Sequence, residues 1–404
     1  MAPPITVDSA QLSAAAALYS TAHASADTAM KTLTGILDAN WGCAGSDSAG
    51  AGWAASYDPA AFQAVAAGNN LVNSFAKLHD LLGATATNHA NTENANKQPP
   101  EPPEPAAPQL PASTAGTFKG AFGGDTDPPF GWSIVSSWLQ GHTWPNGNPD
   151  KLRALTSGWR AAATGLREAS ATTGPAWANL EDIASGEMPQ ALAQMDLVFT
   201  DVDAVADQYD KLGTACSDWA QQIEDAHRKI LHILAGALGA GLIIGGVAGF
   251  FTAGAGTVAA AGVAGSAAGA SIVTVLIAFD AAAAVAVGTT VAAGVAAEGV
   301  ATDLQPLLEA NPTQFNADSG GGGNNWHYQP APKNLAGFPK ARPAKRFGHR
   351  RRWEDNKGNT YEWDYQHGAV EKYNKAGKHL GEFDAETGVQ TKAADPTRSP
   401  EGKK

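Results

Sequence analysis

Cysteine is nearly missing from this chain: 404 residues contain only Cys43 and Cys216. That excludes a disulfide-stapled scaffold and any cysteine-based zinc finger, and leaves one long-range bridge or two buried thiols as the alternatives. Charge is scarce too, at 16% of residues, and unevenly placed. Met1 to Met30 hold no lysine or arginine and no uninterrupted apolar stretch, so the pattern of a cleavable secretory leader is not met. Between residues 230 and 279 there is no Asp, Glu, Lys or Arg, and His232 is the only ionisable side chain. A net charge of −12 would argue against a nucleic-acid partner if it were spread evenly. Instead, residues 325–404 carry 16 Lys and Arg against 10 Asp and Glu, whereas residues 1–324 carry 11 against 29. An acidic carrier with a basic tail able to meet phosphate follows from that split.

The length implies several domains, and composition divides the chain into 1–96, 97–129, 130–229, 230–301, 302–324 and 325–404. Residues 8–95 are Ala-rich and read as a helical hairpin. Asp8 or Ser9 caps the first helix, Gly42 to Gly52 form the bend, and the second helix runs from about Pro59 to Leu82. Lys97-Gln-Pro-Pro-Glu-Pro-Pro-Glu-Pro105 cannot continue a helix and reads as a stiff spacer. After Trp144-Pro-Asn-Gly-Asn-Pro-Asp150, residues Leu152, Leu155, Trp159, Ala162 and Leu166 recur at spacings of 3 and 4, the seam of a helix packed on helices. Gly174-Pro175 breaks it, and helical pattern resumes over 180–231.

Residues 230–301 are Gly/Ala-rich and apolar, interrupted by Asp280. Stretches 230–251 and 256–279 are each long enough to cross a bilayer at ~1.5 Å per residue. Gly241, Gly245 and Gly249, then Gly265 and Gly269, recur every four residues as close helix contact in lipid requires. The competing reading is a buried Gly/Ala hairpin of a helical domain. In either case Asp280 is expected to face protein or water.

Beyond the Gly320–Gly323 joint the pattern changes. Lys340, Arg342, Lys345, Arg346, Arg350, Arg351 and Arg352 form a basic run that suits phosphate, though a solvated linker would have the same composition. Short alternating segments follow at 359–363, 370–373 and 379–383, joined by Asn- and Gly-containing turns at 374–377 and 384–388. They describe a small twisted antiparallel sheet. Asp364, His367 and Glu371 fall within eight residues of one another. Metal-free RNA cleavage needs a base for the ribose 2′-hydroxyl, an acid for the leaving 5′-oxygen and a cation for the phosphorane. A carboxylate beside a histidine serves the first two needs, and an arginine the third. His367 and Glu371 share a face if both lie on one strand; Asp364 joins them only if Gly368 lets the strand bulge.

The stretch 326–398 resembles the cytotoxic domain of the ribonuclease colicins and cloacin. The likeness is carried by His327-Tyr-Gln-Pro-Ala-Pro332, Trp353, Tyr361-Glu-Trp-Asp364, Gln366-His-Gly368, Glu371, Tyr373, His379-Leu-Gly381, Phe383-Asp384, Thr387-Gly388, Gln390, Lys392, Asp395-Pro396 and Arg398. The resemblance implies cleavage of 16S ribosomal RNA at the decoding site, with Asp364, His367, Glu371 and Arg398 as active residues. Tyr373, the basic run and Lys392 are then expected to hold RNA, with neither metal nor cofactor. It also implies an acidic immunity protein as partner. A DNA-cutting nuclease would need a metal-binding histidine cluster, and His327, His349, His367 and His379 are not arranged as one.

Upstream, Trp41-Gly-Cys-Ala-Gly45, Ser56-Tyr-Asp58, Trp144-Pro-Asn-Gly147, Lys151-Leu-Arg-Ala154, Trp159-Arg160 and Gly174-Pro175 resemble the N-terminal region of the mycobacterial channel-forming necrotizing toxins. This implies signal-less export of the type VII kind, with an export partner or chaperone, because no Tyr-x-x-x-Asp/Glu tag is present. Taken together, these features predict a multidomain secreted toxin, mainly α-helical before a small β-sheet nuclease. The alternative is a membrane channel or secretion-associated protein with an inactive tail.

Overall fold

The structure is a computed structural model that describes residues 7–114, 116–181, 183, 185, 187–239, 266–284, 300, 303–310, 331–332, 334–344, 350–364 and 368–400. Residues 240–251 and 256–265 of the expected apolar spans, and the Gly-rich joint, lie outside the described residues.

Helix α1 spans Ser9–Ala39 and α2 spans Ser48–Asn96. Asp8 and Asp47 cap them, accepting from the amides of Ala10 and Gly50. Helix α2 starts earlier and ends later than its sequence suggests, with Pro59 inside it. Continuous burial from Trp53 to Ala86 outweighs the hydrogen bond the proline removes. The bend between the helices is locked from outside: the Asp47 carboxylate also accepts from the Asn146 amide at 3.2 Å, and Trp219 Nε1 donates to the Ala44 carbonyl at 3.0 Å. Gly45, at φ +108°, has no room for a Cβ, which would sit 2.5 Å from the Asp47 carboxylate.

The proline-rich stretch is a strap along α2, not a free spacer. Backbone amides of Leu110, Ser113 and Ala121 donate to the side chains of Asp80, Asn73 and Asp58 at 2.7–3.0 Å. Those polar residues of α2 satisfy a segment that has little secondary structure of its own to pair its amides.

A short helix α3 (Trp132–Val135) and a 3₁₀ turn (Ser136–Trp138) lead to α4 (Pro149–Ala171), α5 (Gly174–Leu180) and α6 (Met188–Gly239). The expected seam is the core of α4: Leu152, Leu155, Trp159, Ala162 and Leu166 are all buried against α1 and α6. Trp53 stacks on Tyr57 and Trp219, Trp159 Nε1 donates to the Tyr57 hydroxyl at 2.8 Å, and the Tyr209 hydroxyl donates to the Ala64 carbonyl. Cys43 and Cys216 are free and buried, and burial pushes the Cys43 thiol up to about 12.

Helix α7 (Ser266–Ala284) is, among the described residues, the helix long and apolar enough to cross a membrane. Here it packs on protein. Ile272, Val273 and Leu276 share a cluster with Ile230, Leu234 and Trp132, and Phe279 stacks on Trp219 at 4.8 Å. Asp280 faces His142 at 3.7 Å, as a carboxylate in an apolar run requires. Helix α8 (Gln305–Glu309) packs on α2.

The tail folds as a six-stranded antiparallel meander in chain order: β1 (Arg342–Pro343), β2 (Arg352–Glu354), β3 (Thr360–Asp364), β4 (Ala369–Tyr373), β5 (His379–Phe383) and β6 (Gln390–Lys392). Three of the expected strands appear with their turns, and the basic run contributes two more.

Candidate active site

Strand alternation sorts the tail into an apolar and a charged face. On the apolar face lie Trp353, Tyr361, Trp363 and Val370, all buried. Phe338 packs on Tyr361 and Phe383, and the Lys372 ammonium lies 5.2–5.4 Å from the three rings. Across the other face, register places Arg352, Glu362, Glu371, Glu382 and Lys392 side by side on five successive strands.

Three adjacent glutamates repel one another unless cations intervene. Arg352 ion-pairs with Glu362 at one end of the row, and Lys392 reaches Glu382 at 2.8 Å at the other. The central residue, Glu371, has no cation within the row. Its partners come from elsewhere: Arg398 Nη1 contacts Oε1, and His379 Nε2 lies 2.6 Å from Oε2. Glu371 is wholly buried, whereas Arg398 is 44% exposed and can turn toward a ligand.

His379 is held in one tautomer. The Asp395 amide donates to His379 Nδ1 at 2.8 Å, which makes Nδ1 the acceptor and leaves Nε2–H to donate to Glu371. A turn at 395–398 sets both contacts: the Asp395 carboxylate accepts from the amide and hydroxyl of Thr397, bonds that hold it below the usual carboxylate range. Tyr373 packs against His379 at 5.1 Å, and burial pushes its phenol well above the usual value. Asp364, at the end of β3, brings a carboxylate oxygen within 4.8 Å of those of Glu371 and Glu382, an acidic triad that could hold a cation.

The structure therefore unites Asp364, Glu371, Tyr373 and Arg398. His367 lies outside the described residues, as do Lys345 and Arg346. The face-sharing expected of His367 and Glu371 assumed that both lie on one strand, but β4 begins at Ala369, after Gly368 at φ +64°. The basic run does not act as one surface. Lys340 and Arg342 are exposed, Arg350 lines a cavity with Arg398, and Arg351 turns to Glu181 at 3.3 Å. Arg352 corrects the expectation of a phosphate grip: β2 turns it onto the charged face opposite Glu362, where it is 2% exposed. His379 went unrecognised as a site residue, because a register shift between Lys372 and Tyr373 is what brings it onto Glu371.

Residues 329–401 match the Cytotoxic family. The Cytotoxic tail is 41% identical to colicin E3 of Escherichia coli over 86 residues, which cover 19% of this chain and 16% of the colicin. It is 48% identical to cloacin of E. coli over 65 residues, which cover 16% and 12% of the two chains. Upstream of it, residues 126–269 match the WXG100-like domain. The outer membrane channel protein CpnT of Mycobacterium tuberculosis is 31% identical over 239 residues, covering 57% of this chain and 28% of CpnT. Both resemblances read from the sequence hold, and the chain spans less than a third of each of these relatives.

Proposed function

We propose that the chain is a secreted toxin whose Cytotoxic tail is a metal-independent endoribonuclease, cutting 16S rRNA at the decoding site and stopping translation. The observation that carries this reading is the meeting of Glu371, His379 and Arg398 on one sheet face, with Tyr373 and Asp364 beside them.

Glu371 takes the proton of a ribose 2′-hydroxyl, and the 2′-oxygen attacks the adjacent phosphorus. The bond to the 5′-oxygen breaks, and His367, charged and oriented by Asp364, protonates that leaving oxygen. Arg398 swings from Glu371 onto the phosphorane, so the cation that balances the base at rest balances the transition state during reaction. His379, a neutral donor fixed by the Asp395 amide, aims the Glu371 carboxylate. Tyr373 packs on a base or phosphate. Arg350, Lys340, Arg342, Lys345, Arg346 and Lys392 supply salt-dependent phosphate affinity. The products are a 2′,3′-cyclic phosphate and a 5′-hydroxyl. An acidic immunity protein protects the producing cell by associating rapidly with the basic tail. Export follows a type VII-like route with a partner or chaperone, and residues 230–301 make membrane contact during delivery; the WXG100-like match and the likeness to CpnT support this part.

Primer extension across 16S rRNA, after ribosomes are incubated with the chain, tests the enzyme. A discrete stop is expected with the parent and a loss of about 10²-fold or more with Glu371→Gln, typical of removing a general base. Equal cleavage by both proteins would remove the basis of this reading.

A further inference from the structure

The centre of the charged face of the tail sheet is dry. Glu362, Glu371, Tyr373 and His379 are each at most 3% exposed, although one face of an antiparallel meander ordinarily meets water. Part of what lies over this face is the helical region. Phe199, Thr200 and Asp203 of α6 form one wall of a cavity whose other wall is Arg350, Glu362, Tyr373, Arg398 and Ser399. The cavity measures about 190 Å³, below the roughly 300–1,000 Å³ of sites that admit a small ligand. An RNA strand needs a nucleotide on each side of the scissile phosphate, so it does not fit. On the apolar face, Glu181, just beyond α5, takes the guanidinium of Arg351, which lies over the Trp353 ring, at 3.3 Å, so the helical region holds the sheet from that side too.

We propose that the α5–α6 edge is a built-in inhibitor of the tail: Asp203 occupies a position that an RNA phosphate would take, α6 closes the approach to Glu371, and the Glu181–Arg351 pair anchors this cover from the other face of the sheet. This rests on the ribonuclease reading above. The long-range charge split of the sequence has a local purpose here, since carboxylates of the acidic region sit against cations of the basic one. RNA and the helical edge then compete for the same face, and cleavage requires the two to separate. The immunity protein, if it binds this face, competes with the edge as well.

The test changes only the helical side of the full chain. Asp203 is 55% exposed, and its neighbour Arg167 keeps Asp207 and Asp210 at 2.6 and 2.9 Å, so the helices retain that anchor in Glu181→Lys/Asp203→Lys. Two measurements are made on parent and variant: the initial rate of 16S cleavage, and hydroxyl-radical labelling of Tyr373 and Phe199, with buried Trp159 as internal control. A rise of about tenfold in rate, with severalfold more labelling at Tyr373 and Phe199 and none at Trp159, supports the proposal. A charge swap, Glu181→Arg with Arg351→Glu, is expected to return the labelling to the parent level. Labelling and rate both unchanged in the double variant overturn the inhibitor. Increased labelling with no RNA cut by either protein keeps the cover but removes the nuclease reading. Increased labelling with an unchanged, measurable rate keeps the nuclease and overturns the inhibitor.

Discussion

The helical region and the tail sheet bury their polar groups in opposite ways. In the helices, buried polarity is mostly neutral and shared between rings: the Trp159 indole donates to the Tyr57 hydroxyl, and the Trp219 indole donates to a backbone carbonyl. Such bonds contribute about 1 kcal/mol each and specify how aromatic surfaces register. The sheet instead buries full charges in a row, and charges removed from water cost several kcal/mol apiece unless paired. A scaffold has no need of that arrangement. Under the proposed function, a surface that must move a proton and neutralise a phosphorane does.

The sharpest way to break this contrast is to orphan a charge in the row. Arg352→Met leaves Glu362 buried without its guanidinium, and a loss of about 3–5 kcal/mol is expected in chemical denaturation followed through the β3 amides. Replacing both partners, Arg352→Met with Glu362→Leu, is expected to restore most of that loss. A full loss in the double variant would mean that packing, not charge, holds the strands.

A smaller effect tests the helical side at Asp201, a buried carboxyl of α6. Burial, with the nearby Asp303 charge as a second cause, raises its carboxyl from 3.8 to about 8. The folded state holds a proton there that the unfolded chain releases at about 3.8, so stability tied to this group falls as pH rises from about 4 to about 8 and is then flat. Asp201→Asn removes that dependence. Its melting temperature is expected to match the parent near pH 4 and to exceed it above pH 8, the gap widening steadily across that interval. A constant offset at all pH values would contradict the assignment.

The smallest effect is expected at the far end of the row. Lys392 is 56% exposed, so Lys392→Met should cost under about 1 kcal/mol, because solvent already screens that pair. A cost equal to that of Arg352→Met would show that position in the row outweighs burial.

Periodicity made some elements legible and left others hidden. The α4 seam follows from spacings of 3 and 4, and β3 to β5 from period-2 alternation bounded by Asn and Gly turns, because local pattern and burial agree there. Pro59 misplaces the start of α2, since its cost is local and the compensating burial is tertiary. The strap at 99–124 is unreadable because its partners are distant in sequence, on α2 and, for Ser113, on α1. Strands β1 and β2 hide in a run of cations, where composition signals solvent and only pairing with β3 turns Arg352 inward. Of the site, the acids and Arg398 are visible through the family resemblance. His379 depends on a bulge, and bulges leave little mark on alternation.

The last turn of the described chain carries an unusual concentration of duties. Residues 395–398 bring both the guanidinium that balances Glu371 and the amide that fixes the imidazole beside it, yet among the described residues no strand after β6 pairs with them. A single endopeptidase cut just past Lys392 would strip away both at once. What remained would be a sheet whose middle carboxylate, flanked by two others, keeps only an imidazole no longer held in one tautomer, so this turn is a safety pin as much as a working part.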